Sequence, residues 1–278
     1  MPELPEVEVT KQGIEPHVLG KKVTGVTIYD GRLRWPVPKN LEKILKGKKV
    51  SHITRRGKYL LFRVDDGYLI IHLGMTGVLR VLNPSDAVKK HDRIEIHLGK
   101  KILRLHDPRK FGAVLWSGDE DGEIENHPLI AKLGVEPFSE EFSKEKAGQY
   151  LYQHAKGRQI AIKQWLLAGQ AVVGVGNIYC SESLFLAGIH PSMAAGKLSK
   201  PRAEKLAESI KDTLTRAIKA GGSSLKDFVN SEGDPGHFML QTKVYDRAGL
   251  PCVKCKTPIK QIVQGQRSTY FCPNCQKK

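Results

Sequence analysis

No stretch of the 278 residues is long and apolar enough to cross a membrane. The longest candidate, residues 165–175, is broken by Gly169 and Gln170 and falls well short of the ~20 residues a spanning helix needs. A basic membrane-surface helix is disfavoured too, since the amphipathic segment 197–220 carries Glu204, Glu208 and Asp212. No secretory leader is legible, so a disulfide framework is not expected. Repeats of fixed period and low-complexity tracts are missing, which leaves out solenoids and compositional tails. Acidic residues are scarce: 29 Asp plus Glu stand against 45 Lys plus Arg, a formal charge of +16 and a pI near 9.6. Such a surplus points to a polyanionic partner, bound in a way that weakens steeply with salt.

Cysteine is also sparse, but four of the five residues are placed tellingly. Cys252-x2-Cys255 and Cys272-x2-Cys275, separated by sixteen residues, have the spacing of a four-thiolate zinc ribbon. Four protein ligands leave no position for water, so one structural Zn2+ is expected there. Cys180, the fifth, reads as a small packing residue.

At this length two domains are more natural than one. The first half reads as a leading helix over residues 5–19, ending at Gly20, followed by strands at 22–29, 59–64, 68–73, 93–98, 102–105 and 112–116. Turns at Asp65-Asp66-Gly67 and Gly99-Lys100 make hairpins of two strand pairs, and many short strands imply a β-sandwich or barrel. The second half reads as helices at 139–154, 159–168, 178–187 and 199–220, the last with Leu206, Ile210, Leu214 and Ile218 on one core-facing stripe. A Pro- and Gly-bearing linker near 125–139 separates the halves. The fold class is therefore α+β, divided as residues 1–133, a helical part 134–243, and a zinc-binding end 244–278.

The chain opens Met1-Pro2-Glu3-Leu4-Pro5-Glu6-Val7-Glu8. Removal of Met1 leaves a secondary amine that titrates far below a lysine and can attack an electrophilic carbon. Glu3, Glu6 and Glu8 supply carboxylates for proton transfer. The same residues also fit a helix start with Pro in the first turn and acids favoured by the helix dipole, and on residue types alone both readings stand.

Taken in order, PELPEVE at 2–8, RRGKYLL at 55–61, HLGMTG at 72–77, DPRKFG at 107–112, VVGVGNIY at 172–179, GGSSLKDF at 221–228 and the four-cysteine end closely resemble the formamidopyrimidine-DNA glycosylases over the whole chain. The resemblance implies a bacterial, cytoplasmic, monomeric base-excision enzyme acting on double-stranded DNA with oxidised purines or abasic sites. It implies glycosylase and β,δ-elimination lyase chemistry, with a β-sandwich and a helix-two-turns-helix domain flanking a DNA cleft. Pro2 would then be the nucleophile and Glu3 the proton donor. Lys58 would contact phosphate beside the lesion, assist elimination and lower the Pro2 amine pKa by like-charge repulsion. Arg267, at the tip of the ribbon hairpin, would hold lesion phosphates and aid the δ-elimination.

His72, His91, Arg158, Lys163 and Asn177 are implied DNA contacts, Asn177 at a helix start that favours anions. A base must leave the stack to be excised, and Met75, Arg109 and Phe111 match a trio that fills the gap, reads the orphaned cytosine and wedges the opposite strand. Residues 221–224 and 233–236 frame a lesion-capping loop. The chain departs from the family pattern at Gln164, where proline is usual, at His237, usually tyrosine, and at Asp246, usually glycine. Two other readings share parts of this pattern: an endonuclease VIII-type enzyme for oxidised pyrimidines, and a non-enzymatic zinc-ribbon DNA-binding protein.

Overall fold

Helix α1 (Leu4–Val18) buries Leu4, Val7, Ile14 and Val18 along one side, and the chain leaves it through Gly20 at φ 73°. Strand β1 is shorter than residues 22–29 suggest, covering Gly25–Ile28. The reason is a change of partner: Val23 bonds to the Gly47–Lys48 backbone, whereas Thr24 onward bonds to the strand ending at His97. The next elements are α2 (Leu41–Leu45), β2 (Val50–Arg56), β3 (Tyr59–Val64), β4 (Gly67–His72), β5 (Val78–Leu82), β6 (Asp92–His97), β7 (Ile102–His106) and β8 (Ala113–Gly118).

They form two antiparallel four-stranded sheets, ordered β1-β6-β7-β5 and β2-β3-β4-β8. Val26, Leu79, Ile94, Ile96, Leu103 and Leu105 of the first sheet share a buried cluster with Ile53, Leu60, Phe62, Leu69, Ile71 and Val114 of the second, so the sheets are the two layers of a sandwich. Elements α2, β2 and β5 are absent from the sequence reading. In β2 only Val50 and Ile53 are buried, and a register shift between Val50 and His52 breaks the alternation that would announce a strand.

The computed structural model describes residues 2–223 and 233–278. By contacts the chain divides into one unit of residues 1–131 with 220–237 and another of 132–219 with 238–278. The second unit contains α3 (Ala147–Ala155), α4 (Ile162–Leu167), α5 (Asn177–Ala187), α6 (Lys200–Lys219) and the hairpin β9 (Lys260–Gln264) with β10 (Arg267–Phe271). Helix α3 starts later than residue 139 because Glu140–Phe142 winds as a 3-10 turn first. The α6 stripe is buried through Leu206, Ile210 and Leu214 and continues at Ala217, leaving Ile218 partly exposed. Among the described residues no helix is long and apolar enough to cross a membrane.

Candidate active site

Pro2 and Glu3 are buried in an extended segment at the head of α1, and Glu3 is 2 % exposed. The helix start is organised by Glu6, which is fully buried. Its Oε2 accepts the Glu3 N–H at 2.8 Å, while Oε1 accepts the Ser223 N–H at 2.7 Å and the Ser223 hydroxyl at 2.9 Å. One carboxylate thus joins the N-terminal segment to the residue preceding segment 224–232. Gly222 (φ 83°) fits here because a Cβ would lie 3.0 Å from Glu6 Oε1. The capping loop expected between the two glycine-rich stretches falls on residues 224–232, outside the described residues.

Further along α1, Glu8 Oε2 accepts from Arg55 Nε at 2.8 Å, and Arg55 Nη1 donates to the Gly57 carbonyl at 2.9 Å. The salt bridge ties the helix to the β2–β3 hairpin, whose two-residue turn is Gly57-Lys58, with Gly57 at φ 59°. Lys58 is partly exposed on that turn. Its neighbour Tyr59 pairs with His72 across β3 and β4, their rings 4.7 Å apart. His72 Nδ1 accepts the Gly74 N–H at 3.0 Å, which leaves Nε2 as the protonated, donating nitrogen. Burial, aided by the Lys58 and Arg34 charges, pushes the His72 pKa down to about 4. His72 is accordingly a neutral imidazole N–H donor at physiological pH.

Met75 and Phe111 are large apolar side chains left 37 % and 44 % exposed, and the Arg109 guanidinium lies 4.8 Å from the Phe111 ring centroid. The chain brings the two loops close at Gly74 (φ 62°), where a Cβ would lie 2.3 Å from the Phe111 backbone. His91, at φ 79°, accepts at Nδ1 from Arg93 Nη2 at 3.1 Å, and Arg93 also reaches the Asp107 and Pro108 carbonyls.

In the second unit, β9 and β10 meet in a two-residue turn, Gly265 (φ 53°) and Gln266 (φ 61°), which places Arg267 exposed at the hairpin tip. Behind it, Lys163 is fully buried, and its ammonium donates to Thr269 Oγ1 at 2.7 Å and the Ser268 carbonyl at 3.1 Å. The Lys163 charge is therefore committed to the hairpin. Asn177, first residue of α5, donates from Nδ2 to the same Ser268 carbonyl at 3.1 Å. Lys163, Asn177 and the strand that begins at Arg267 form one cluster. Arg158 sits elsewhere, exposed in the loop between α3 and α4, where its carbonyl accepts from the Gly196 N–H.

The four cysteines converge at the base of this hairpin, their Sγ atoms all within 4.8 Å of one another. Cys252 and Cys275 are 3.9 Å apart and Cys255 and Cys272 3.5 Å, close to the ~3.8 Å edge of a tetrahedron with zinc–sulfur bonds of ~2.3 Å. Backbone N–H groups of Lys254 and Cys275 point at Cys252 Sγ and Cys272 Sγ, each at 3.4 Å, as suits thiolates. The donor set fits one Zn2+ with no coordination position left open.

Three family models match in order: the formamidopyrimidine-DNA glycosylase N-terminal domain over residues 1–114, the H2TH domain of the same enzymes over 133–229, and a zinc finger found in FPG and IleRS over 249–278. A formamidopyrimidine-DNA glycosylase of Polynucleobacter necessarius is 66 % identical over the full length of both chains, and one of Burkholderia ambifaria 58 %. The chain belongs to the formamidopyrimidine-DNA glycosylases. Solved structures agree. A Lactococcus lactis FPG mutant in complex with a Fapy-dG containing DNA superposes with TM-score 0.91 at 33 % identity, and L. lactis Fpg on abasic-site DNA with 0.89 at 34 %, each over 100 % of both chains.

Two of this glycosylase's departures have a visible setting. Asp246 holds a positive φ of 58°, a conformation glycine adopts freely, and accepts from the Tyr270 hydroxyl at 3.4 Å. The Gln164 amide reaches the tip glycine, Nε2 lying 3.0 Å from where a Gly265 Cβ would be. His237 N–H donates to the Ala220 carbonyl; nothing in the structure explains its replacing tyrosine.

Sequence reasoning missed several supporting residues. Glu182 of α5, fully buried, accepts the Lys243, Val244 and Tyr245 N–H groups, each at 2.9 Å, and so fixes the segment that leads into the ribbon. Burial pushes its pKa up, opposed by those three donors. Arg93 and Asp107 are the others, and Glu6, named as a carboxylate for proton transfer, instead accepts the Glu3 and Ser223 N–H groups. Asp107 and Glu6 lie inside quoted motifs, but Thr76 and Ser223, the partners that reveal their roles, are distant in the chain.

Proposed function

We propose that this enzyme is a bifunctional base-excision glycosylase that removes oxidised purines, 8-oxoguanine and formamidopyrimidines, from duplex DNA and then cleaves the strand by β,δ-elimination. The carrying observation is the full-length match to proteins solved on Fapy-dG and abasic DNA, in a chain that keeps Pro2-Glu3 buried at the head of a glutamate-organised helix. The Pro2 nitrogen, freed by loss of Met1, attacks C1′ while the base departs with a proton supplied by the protein. The resulting aminal opens by breaking C1′–O4′, with O4′ taking a proton from Glu3, to give the iminium; this acidifies the C2′ hydrogen, whose loss as a proton expels the 3′ phosphate, and a second elimination releases the 5′ phosphate. Glu3 is the proton donor and shuttle.

Lys58 and His72 meet phosphate from the first unit, His72 as a neutral N–H donor. Arg267 and Asn177, of the second unit, are phosphate contacts too, and Lys163 serves by holding the hairpin. Met75, Arg109 and Phe111 occupy and read the gap left by the flipped nucleotide. His91 and Arg158 add backbone contacts. Zinc, when bound, supplies only the rigidity of the ribbon. The enzyme acts as a monomer in the cytoplasm, associated with the nucleoid through its DNA substrate.

One solved neighbour, L. lactis Fpg, was crystallised with an oxidised-pyrimidine-containing DNA at TM-score 0.89 and 34 % identity, so the test must compare lesion classes. Duplexes carrying 8-oxoguanine or 5-hydroxycytosine are incubated with enzyme and borohydride. A trapped adduct formed faster on 8-oxoguanine opposite cytosine than opposite adenine, and faster than on 5-hydroxycytosine, is the expected result. Preference for the pyrimidine lesion defeats the substrate assignment, and no adduct on any lesion defeats the imine chemistry.

A further inference from the structure

We infer that Asp107 and Thr76 are positioning residues that make the Met75 loop and the Arg109–Phe111 loop insert into DNA as one rigid unit; the inference rests on the wedge role proposed above. Asp107, the first residue of the loop that carries Arg109 and Phe111, is fully buried. Its Oδ1 accepts the Thr76 hydroxyl at 2.8 Å, next to Met75, and its Oδ2 accepts the Gly112 N–H at 2.8 Å, next to Phe111. The Thr76 hydroxyl, having spent its proton on Asp107, accepts the Arg109 N–H at 3.3 Å. All three wedge residues therefore have an immediate neighbour, or their own backbone, tied to one carboxylate.

The space around the clamp is equally restrictive. A Cβ on Gly112 would lie 2.9 Å from the His72 carbonyl and 3.0 Å from Asp107 Oδ2, so only glycine lets the N–H approach the carboxylate. From the other side the Arg93 guanidinium, 7 % exposed, donates to the Asp107 carbonyl at 2.8 Å and the Pro108 carbonyl at 3.3 Å. Asp30 pairs with both Arg93 and, at 2.7 Å, Lys110, which stands between Arg109 and Phe111 at φ 59°. The loop is held at both ends and in the middle, while Met75 and Phe111 stay exposed.

Side chains that must enter a base stack gain by being fixed beforehand, because the ordering entropy is then not lost on binding. A loose wedge would still touch DNA, yet would fill the gap slowly and read the opposite base poorly. The clamp touches no reacting atom.

The test follows wedge insertion by stopped-flow fluorescence of 2-aminopurine placed beside 8-oxoguanine, together with single-turnover base release opposite cytosine and adenine. Thr76→Val keeps the shape of the side chain and removes the hydroxyl. Insertion and base release should slow about ten-fold, as for loss of a hydrogen bond to a charged group, and the preference for cytosine over adenine should narrow. Thr76→Ser, which restores the hydroxyl, should return both to within about two-fold. Asp107→Asn, where it folds, should behave as the valine variant. Imine trapping on an abasic site in single-stranded DNA, which has no partner strand to wedge, should be unchanged in all three.

Wild-type insertion rate and base preference in Thr76→Val overturn the inference. So does failure of Thr76→Ser to rescue, or an equal loss on the single strand, since either marks general damage. A wild-type enzyme that does not release 8-oxoguanine at all defeats the proposed function itself, and this inference with it.

Discussion

Glu6→Gln isolates the carboxylate that joins the head of α1 to Ser223. In the wild type, Oε2 serves the Glu3 N–H and Oε1 serves the Ser223 N–H and hydroxyl, at 2.8, 2.7 and 2.9 Å. An amide has one acceptor oxygen, so its NH2 must face a donor on one side. Turning the nitrogen toward Ser223 lets the hydroxyl rotate and accept but leaves the Ser223 N–H opposed; turning it the other way leaves the Glu3 N–H opposed. Either arrangement strands one backbone N–H in a site that is fully buried. Losing a hydrogen bond to a charged group and burying an unpaired donor together cost about 3 kcal/mol. If that is expressed wholly in the reactive geometry, trapping on 8-oxoguanine duplex falls about 100-fold. If it is expressed in stability, the melting of this unit falls by roughly 10 °C.

Comparing trapping on an 8-oxoguanine duplex with trapping on a preformed abasic site divides the effect. The abasic substrate has no base to release, so only the Glu3 side of the network should matter, and the loss there should be smaller. Glu6→Asp keeps both oxygens but withdraws them by one methylene, and should lie between wild type and Gln. A Gln variant with wild-type melting and wild-type trapping on both substrates would show the network to be incidental.

Three further outcomes are expected. Chelation of zinc, or Cys272→Ser, should disorder the hairpin that carries Arg267 and abolish DNA binding while melting of the N-terminal sandwich is unchanged, as read by calorimetry and binding at fixed salt; retained native affinity without metal would refute the structural assignment of zinc. His72 has its pKa lowered from 6.5 to about 4, so the unfolded chain binds the extra proton between those values. Its contribution, at most about 3 kcal/mol, is fully present above pH 6.5 and is lost as pH falls toward 4. Urea unfolding should therefore show wild type losing more stability than His72→Gln between pH 7 and pH 4.5, and parallel losses would refute the buried neutral imidazole. Acetylation of the Pro2 nitrogen turns the amine into an amide whose lone pair is delocalised; such protein, verified by mass, should bind lesion duplex yet give no trapped adduct, and full activity would move suspicion to Lys58.

What the sequence made legible is local. The Asp65-Asp66 turn, the cysteine knuckles and the Pro2-Glu3 helix start are each complete within a few residues, so residue types alone announce them. Strand β2 was invisible because a bulge and two solvent-facing residues erase its period. Helix α2 was missed because five residues are too few to show a periodicity. The change of partner at Thr24 that shortens β1 is set by long-range pairing and leaves no mark on the local pattern.

The supports of the site are of the opposite kind. Thr76 meets Asp107 across 31 residues, Lys163 meets Thr269 across 106, and Glu6 meets Ser223 across 217. A sequence shows that such a residue is charged; whether the charge faces solvent or a buried partner is decided by the fold. Lys163 illustrates the difference: as a lysine in a basic DNA-binding chain it reads as a phosphate contact, and its fully buried ammonium instead donates to the Thr269 hydroxyl and the Ser268 carbonyl of the hairpin. The exposed groups that would meet DNA, Arg267, Met75, Arg109 and Phe111, are each held by a buried ion that does not meet it. An exposed phosphate contact can be lost at the cost of one counterion-releasing interaction, whereas a buried ion removed from behind it releases a whole loop or hairpin. Substitutions at Asp107 and Glu6, which hold no phosphate contact in place, should therefore reduce activity with little change in the salt dependence of binding, whereas loss of Lys163 should change it together with Arg267. Arg267→Ala should shallow that dependence by about one phosphate contact. Measured salt slopes that fail to separate these two groups would remove the distinction between contact and support on which the site is built.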